Sequence, residues 1–146
     1  MNNVIINLRK IAKADMTDVV EILQQLSIFK PPKNQYQKIW NKFSKQKNLH
    51  SLVATIDNKI VGYGSIVIET KIRGGKTGHI EDIVSHRNYK KRDVGRSIVN
   101  GLFDIAKKKG CYKVVLQCKA NNKDFYKKCH YKLSGIAMQR FTKILK

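Results

Sequence analysis

Along this chain of 146 residues, segments whose hydrophobic residues have the pattern of a β-strand alternate with segments that have the spacing of an α-helix, and these patterns predict its secondary structure. Short β-branched runs predict strands, and apolar residues at helical spacing predict helices. The resulting order, β-α-α-β-β-β-α-β-α-β-β, has no linker or repeat, so we predict one α/β (α+β) domain over residues 1–146. The predicted strands are 4–9, 51–56, 60–69, 77–84, 112–118, 131–133 and 136–144. Four helices are predicted. Asp15 caps the first and Pro31-Pro32 ends it, and the other three span residues 36–47, 94–109 and 122–129.

Turn and breaker residues support these boundaries. Asp57-Asn58-Lys59 is a good hairpin turn between two strands, and Gly74-Gly75 marks the next turn. Gly110 ends the long third helix. The run Val114-Val115-Leu116 is apolar at consecutive positions, which predicts a strand buried on both faces.

Composition is that of a globular protein. The hydrophobic content is 42% against 27% charged residues, and the length suits one core. No apolar run is long enough to span a membrane, and the N-terminus lacks a signal-peptide pattern. The three cysteines, Cys111, Cys118 and Cys129, form no Cys-x-x-Cys pair, which argues against a disulfide framework or a zinc site. We therefore expect buried thiols, no metal and a cytoplasmic location.

The formal net charge of +20 is open to several explanations, and many of the lysines fall on the polar side of predicted helices, where a solvated face is the usual one. Basic charge of this size attracts nucleic acids, phosphorylated substrates and polyanionic cofactors alike. The lysines are spread over every predicted segment, and no basic arm, RNA-binding aromatic motif or zinc finger gathers them. We expect no specific nucleic-acid site, and charge alone does not decide the function.

The segment from Gly78 to Gly95 carries the candidate chemistry. An apolar strand holds the adjacent carboxylates Glu81 and Asp82 and leads into a basic turn, 89–95, which opens the third helix. Backbone N–H groups at a helix start lack intrahelical partners, and with the helix dipole they form an anion site. A carboxylate pair beside such a site indicates an enzyme that uses a phosphate-bearing cofactor. On these residues alone, two simpler explanations remain. One of the two carboxylates could be solvated while the other pairs with a lysine, and the basic turn could be an ordinary surface loop.

Three motifs carry a resemblance to a known family. They are Gly78-His-Ile-Glu-Asp-Ile83, Gly110-Cys-Tyr-Lys-Val-Val-Leu116 and Asn122-Lys-Asp-Phe-Tyr-Lys-Lys-Cys129. In order and spacing they resemble the glucosamine-6-phosphate N-acetyltransferases, a family within the GNAT superfamily, whereas the N-terminal half matches only in pattern. The resemblance implies the GNAT acyl-CoA N-acyltransferase fold, with a mixed central sheet flanked by helices.

The resemblance also implies a reaction. Acetyl-CoA would give its acetyl group directly to the amine of glucosamine 6-phosphate in a ternary complex, without a metal, in a homodimer that feeds UDP-N-acetylglucosamine synthesis. The family places a backbone distortion at Glu81 and Asp82, which implies that both reach the sugar and that one accepts the ammonium proton. A backbone N–H near residues 83–85 would polarise the thioester carbonyl. Tyr126 would donate a proton or a hydrogen bond to the sulfur.

The expected phosphate-binding turn departs from the family pattern. That pattern is Arg/Gln-x-x-Gly-x-Gly/Ala, and here the segment 90–95 keeps only its last glycine. Lys91 and Arg92 would add direct charge, whereas Asp93 opposes an anion unless it caps the helix. Gln117 stands where relatives tend to carry an acid, so no base is available there. The implied cofactor-binding residues are Ile83, Val84, Ser85, Lys91, Arg92, Asp93, Val94, Gly95, Arg96, Gln117, Asn122 and Tyr126.

For the sugar phosphate, the resemblance implies contacts from several separate segments. Tyr112 and Lys113 would contribute across a dimer interface, together with the 71–74 loop and an arginine near the C-terminus. Arg140 lies one residue out of the expected register, and Lys143 could substitute for it. His79 is expected to be structural or to contact substrate. The implied substrate-binding residues are Ser27, Lys71, Ile72, Arg73, Gly74, Glu81, Asp82, Ile83, Tyr112, Lys113 and Arg140.

Two rival functions remain. One keeps the fold and cofactor but acetylates another amine, such as a protein N-terminus, a lysine or a polyamine; a basic surface opposes a polycationic acceptor. The other is a noncatalytic nucleic-acid-binding domain on a GNAT scaffold. It predicts steeply salt-dependent binding to DNA or RNA and little affinity for acetyl-CoA.

Overall fold

The sheet is mixed and keeps its strands in chain order. The computed structural model describes residues 4–90 and 92–143. The strands of that part are β1 (Asn7–Lys10), β2 (Leu49–Ile56), β3 (Lys59–Thr70), β4 (Lys76–Ser85) and β5 (Cys111–Leu116). The first four pair antiparallel, whereas β4 and β5 pair in parallel. A parallel pair needs a crossover connection, which the long helix between β4 and β5 supplies.

Helices cover both faces of the sheet. They are α1 (Met16–Leu23), α2 (Tyr36–Ser44), α3 (Val94–Lys108) and α4 (Lys123–Lys128). The buried side chains between α3 and the sheet are Ala54, Ile56, Val61, Ile66, Ile80, Val94, Ile98, Leu102 and Ala106. Those that α1 and α2 help to cover are Ile11, Val19, Ile22, Val53, Ile60, Tyr63 and Val84. The predicted mixed sheet flanked by helices is confirmed, although α1 ends at Leu23, before the predicted stop at Pro31.

Asp15 joins β1 to α1 through an ion pair and does not cap the helix. Its carboxylate accepts hydrogen bonds from Arg9 at 2.6 and 2.8 Å and from the backbone N–H of Ala12 at 2.7 Å. The predicted cap is wrong, because Asp15 itself has helical backbone angles and makes no side-chain hydrogen bond to the first turn of α1. The hydrogen bond from Arg9 lowers the pKa of this carboxyl.

The two strands predicted at 131–133 and 136–144 are absent from residues 131–143, and residue 144 lies outside the described residues. A cavity lies between residues 131–137 and the β4–β5 edge, so this segment forms no ladder with β5. The prediction followed an apolar pattern whose side chains are exposed in the described chain. These side chains are Leu133, Ile136, Met138 and Phe141.

The strand β5 is only partly buried, which corrects the prediction of burial on both faces. It lies at the edge of the five-stranded sheet, and its residues Tyr112 and Lys113 are exposed. The prediction of buried thiols holds for Cys129 alone, because Cys111 is half-buried and Cys118 is exposed. All three cysteines are free thiols.

Candidate active site

The strand β4 continues past the end of β5 and leaves an open edge. The last paired residues are Ile80 and Leu116, and β4 runs on to Ser85. Residues 81–85 therefore have no strand neighbour on the β5 side within the described residues. Unpaired backbone groups on such an edge are available to a ligand. Residues 83–85, the predicted carbonyl-polarising segment, lie on this edge.

A cavity of about 450 Å³ adjoins the open edge. Its walls come from β4, β5, α4 and residues 131–137. Three predicted site residues, Glu81, Gln117 and Tyr126, line it together with His79 and Cys118. The fold thus brings one candidate base and the candidate acid into the same cavity.

Helix α4 presents Tyr126 to this cavity. The Tyr126 ring packs edge-on against Phe125, with ring centroids 4.9 Å apart, and against Tyr131 at 6.1 Å. Burial raises the pKa of the Tyr126 phenol above its ordinary value. The phenol therefore keeps its proton at neutral pH, as a proton donor must.

A β-bulge in β4 separates the two candidate carboxylates. The ladder register shifts, so that Gly64 of β3 alone lies opposite Asp82 and Ile83. Asp82 takes a positive φ of 56°, in the left-handed region. A Cβ added to Gly64 would lie 2.5 Å from the Ile83 Cδ1 atom and 2.6 Å from the Ile98 Cγ2 atom, so a side chain there would force these groups to shift. The expected distortion is therefore present at Asp82.

The bulge directs Glu81 and Asp82 to different places. Glu81 lines the large cavity, whereas Asp82 lines a smaller groove of about 200 Å³ that is formed mainly by α1 and the loop after it. Ser27, a predicted substrate residue, lines the same groove, and its hydroxyl accepts a hydrogen bond from the backbone N–H of Phe29 at 3.2 Å. The structure thus joins Asp82 to Ser27 and Glu81 to Tyr126.

The basic turn leads into α3 through a left-handed residue. Asp93 has φ 61° and ψ 18° and stands at the N-cap of α3, but its carboxylate makes no hydrogen bond to the helix. Its backbone carbonyl accepts the hydrogen bond from the N–H of Ser97 at 2.9 Å. Asp93 therefore places a carboxylate at the start of α3 without using it to cap the helix.

The neighbours of Asp93 contribute in different ways. The Arg92 guanidinium lies over the Tyr89 ring, 5.7 Å from its centroid. Val94 is fully buried, so it offers only its backbone. Gly95 lies beneath Phe125, and an added Cβ would come 3.3 Å from the Phe125 Cζ atom. Arg96 is exposed, and Lys91 lies outside the described residues.

Gln25 supports the end of β4, a role that no local sequence pattern indicates. Its side-chain amide donates to the carbonyl of Ser85 at 2.9 Å and accepts from the N–H of Arg87 at 3.0 Å. It thereby fixes the end of β4 against the residues after α1. The Ser85 hydroxyl beside it is buried and has no hydrogen-bond partner among the described residues.

The β3–β4 hairpin and the start of β5 hold the predicted phosphate contacts. Arg73 donates to the Tyr112 hydroxyl at 3.3 Å, and the Lys113 ammonium lies 5.6 Å from the centroid of the Tyr112 ring. Ile72 and Gly74 lie at the hairpin tip, where the Ile72 side chain is fully exposed.

Lys71 forms an ion pair with another residue of the hairpin. Its ammonium pairs with Glu69 at 2.6 Å, and the same carboxylate oxygen lies 3.3 Å from the His79 Nε2 atom. The hydrogen bond from Lys71 is the main cause that lowers the pKa of Glu69. His79 thus contacts a carboxylate on one strand and lines the large cavity, as a structural or substrate-contacting residue would.

The predicted phosphate contacts are far from Glu81 within one chain. Lys113 pairs with Thr77, four residues before Glu81 on β4, so about 13 Å of strand separates them. Arg140 lies in the exposed irregular segment after α4. Asn122 precedes α4 without a side-chain cap hydrogen bond.

Residues 4–90 and 92–143 contain no group of three or more His, Cys, Asp or Glu side chains placed to hold a metal ion. Within these ranges, no helix combines the length and apolarity needed to cross a membrane.

Comparisons with known proteins agree with this geometry. The family described as Acetyltransferase (GNAT) family matches residues 14–131. Glucosamine 6-phosphate N-acetyltransferase 1 of Dictyostelium discoideum is 41% identical over 123 residues, which cover 81% of this chain and 78% of the relative. The crystal structure of glucosamine-6-phosphate N-acetyltransferase from Arabidopsis thaliana superposes with a TM-score of 0.87 at 30% identity, covering 95% of this chain and 99% of that one.

Proposed function

This chain belongs to the GNAT family of acetyltransferases, and on that premise we propose that it acetylates the amine of glucosamine 6-phosphate with acetyl-CoA. The product is N-acetylglucosamine 6-phosphate, which feeds UDP-N-acetylglucosamine synthesis. The observation that carries this proposal is the cavity that Glu81 and Tyr126 share at the open end of β4. The names of the relatives support the choice of acceptor.

The residues present fit acetyl-CoA, which when bound supplies an activated acetyl thioester. The first N–H groups of α3, from Val94 to Arg96, are suited to the pyrophosphate, because a helix start attracts anions. The open edge of β4 at residues 83–85 offers backbone groups to amides along the cofactor. The partnerless Ser85 hydroxyl on that edge is a further group that a ligand can satisfy.

The lining of the two cavities supports a division of roles. Glu81, which lines the cavity that contains Tyr126, accepts a proton from the acceptor amine, directly or through water. Asp82, which lines the smaller groove together with Ser27, binds the sugar. A backbone N–H of residues 83–85 polarises the acetyl carbonyl. Tyr126 donates its proton to the leaving sulfur, which requires the neutral phenol that burial maintains. Direct transfer in a ternary complex therefore needs no protein nucleophile.

The enzyme acts as a cytoplasmic homodimer in this proposal. Arg73, Tyr112 and Lys113 lie together, and about 13 Å of β4 separates Thr77, the strand partner of Lys113, from Glu81. A second subunit can bring these cations to the site. The exposed apolar side chains of residues 133–141 offer surface for such an association.

Subunit complementation tests the shared site. Lys113→Ala and Tyr126→Phe homodimers are each expected to lose most activity. Mixing them under conditions that allow subunit exchange should restore activity, because a mixed dimer contains one intact site. No recovery, although exchange is shown by mass spectrometry, would mean that each site is built from one chain.

The reaction itself is tested by thiol release from acetyl-CoA with parallel acceptors. These are glucosamine 6-phosphate, glucosamine, spermidine, a lysine peptide and a peptide with a free N-terminus. We expect strong preference for glucosamine 6-phosphate, and Glu81→Gln should abolish it without unfolding the protein. Preference for another amine would retain the family and change the acceptor. No release with any acceptor, together with salt-sensitive binding to RNA or DNA, would contradict the proposal.

A further inference from the structure

A second phenol, that of Tyr131, borders the cavity that contains Tyr126. The backbone N–H of Tyr131 donates to the Tyr126 carbonyl at 3.0 Å, and the two rings meet edge-on at 6.1 Å. The Tyr131 ring also packs against the core cluster beneath α3. Its hydroxyl is buried and has no hydrogen-bond partner among the described residues.

A buried hydroxyl without a partner is unfavourable, because it has lost its hydrogen bonds to water and gained none. The buried Tyr63 shows the ordinary solution. The Tyr63 hydroxyl lies 3.3 Å from the Ser51 hydroxyl, so it is satisfied inside the fold. Tyr131, which lines the cavity of the proposed cofactor site, therefore carries a polar group that its own packing does not satisfy.

We propose that the Tyr131 hydroxyl hydrogen-bonds to the bound acetyl-CoA, and that Tyr131 is a cofactor-binding residue beside the proton donor Tyr126. This inference rests on the proposed function, because it needs a CoA thioester in this cavity. It assigns the two phenols separate tasks. Tyr126 gives up its proton, whereas Tyr131 holds the ligand in place and contributes the ring against which Tyr126 packs.

Both phenols are protonated at neutral pH, so each can donate a hydrogen bond. Burial raises the pKa of Tyr131 to about 12, so this phenol remains protonated and acts as a hydrogen-bond donor. Burial also raises the pKa of Tyr126, and no carboxylate contributes to either shift. Cys129 and Cys118 are the other titratable groups that affect this pair, and the exposed Arg96 lies beside Cys129.

The test compares Tyr131→Phe with Tyr63→Phe in the full chain. Calorimetry measures the dissociation constant for CoA, and thermal denaturation measures the melting temperature of each protein without ligand. Tyr131→Phe should bind CoA or acetyl-CoA about threefold to tenfold more weakly, the effect of one lost hydrogen bond. Its unliganded melting temperature should equal or exceed that of the wild type. Tyr63→Phe should show the reverse: a lower melting temperature and unchanged CoA affinity.

The outcomes separate this inference from the function that it extends. If the wild type binds CoA and Tyr131→Phe binds it with equal affinity, the proposed role of Tyr131 is overturned and the proposed function is left intact. A lower unliganded melting temperature for Tyr131→Phe, comparable with that of Tyr63→Phe, would mean that the hydroxyl has a partner within the protein, which also overturns it. Failure of the wild type itself to bind CoA or acetyl-CoA would remove both.

Discussion

Replacement of Asp93 tests how this chain binds a pyrophosphate without the usual glycine. Asp93 is in the left-handed region at the start of α3, and its carboxylate is not used to cap the helix. A negative charge at this position opposes an anionic ligand that the helix start otherwise attracts. Asp93→Asn removes the charge and keeps a residue that tolerates this backbone conformation. Asp93→Gly removes both the charge and the conformational strain.

The expected gain follows from simple electrostatics. Two like charges at contact distance in a solvent-exposed site cost about 1 kcal/mol, which corresponds to about a fivefold change in affinity. Both variants should therefore bind CoA about fivefold more tightly than the wild type. The melting temperature without ligand should change little in Asp93→Gly, because relief of about 1 kcal/mol of strain is offset by the greater freedom of glycine in the unfolded chain.

Calorimetric titration with CoA at low and high ionic strength measures this effect. The gain should shrink as salt is added, since screening weakens the repulsion that the variants remove. Unchanged affinity in both variants at low salt would refute the placement of the pyrophosphate at this turn. A gain in Asp93→Gly alone would assign the effect to the backbone and refute the electrostatic explanation.

Three further predictions concern the chemistry and the fold. Tyr126→Phe should lower turnover about a hundredfold with little change in the dissociation constant for acetyl-CoA; steady-state kinetics and calorimetry together check this, and unchanged turnover would exclude the proposed acid. Asp15→Asn should lower the free energy of unfolding by about 1–2 kcal/mol, a value reduced because Arg9 is half exposed. Because the pKa of Asp15 is lowered in the folded state, its contribution to stability is present above a pH of about 4 and is lost as the pH falls below that value. Urea denaturation should therefore show a smaller difference in stability between Asp15→Asn and wild type at pH 3 than at pH 7. Gly64→Ala should destabilise the protein by about 1–3 kcal/mol, since its Cβ would clash with Ile83, and a melting temperature equal to that of the wild type would contradict the tight packing at the bulge.

The arrangement of elements was largely predictable from the sequence, because periodicity is a local property. The β-branched run of β3 and the apolar stripe of α3 each follow from residues close together in the chain, and both elements form where predicted. Sequence motifs also identified Glu81, Asp82 and Tyr126 as site candidates, since their residue types and spacing match a known family. Predictions that depended on distant neighbours were less accurate. Asp15 pairs with Arg9 and leaves the helix uncapped, and the apolar C-terminal segment makes no ladder in its described part.

Only the tertiary structure decided which of these side chains share a cavity. Adjacent in sequence, Glu81 and Asp82 line different cavities, because a bulge opposite Gly64 turns the backbone between them. Gln25 and Tyr131 gained their proposed importance from contacts and burial that no local pattern encodes. Local patterns and motifs indicated the family and most of the elements, whereas long-range packing set the geometry of the site, because strand register and burial depend on residues far apart in the chain.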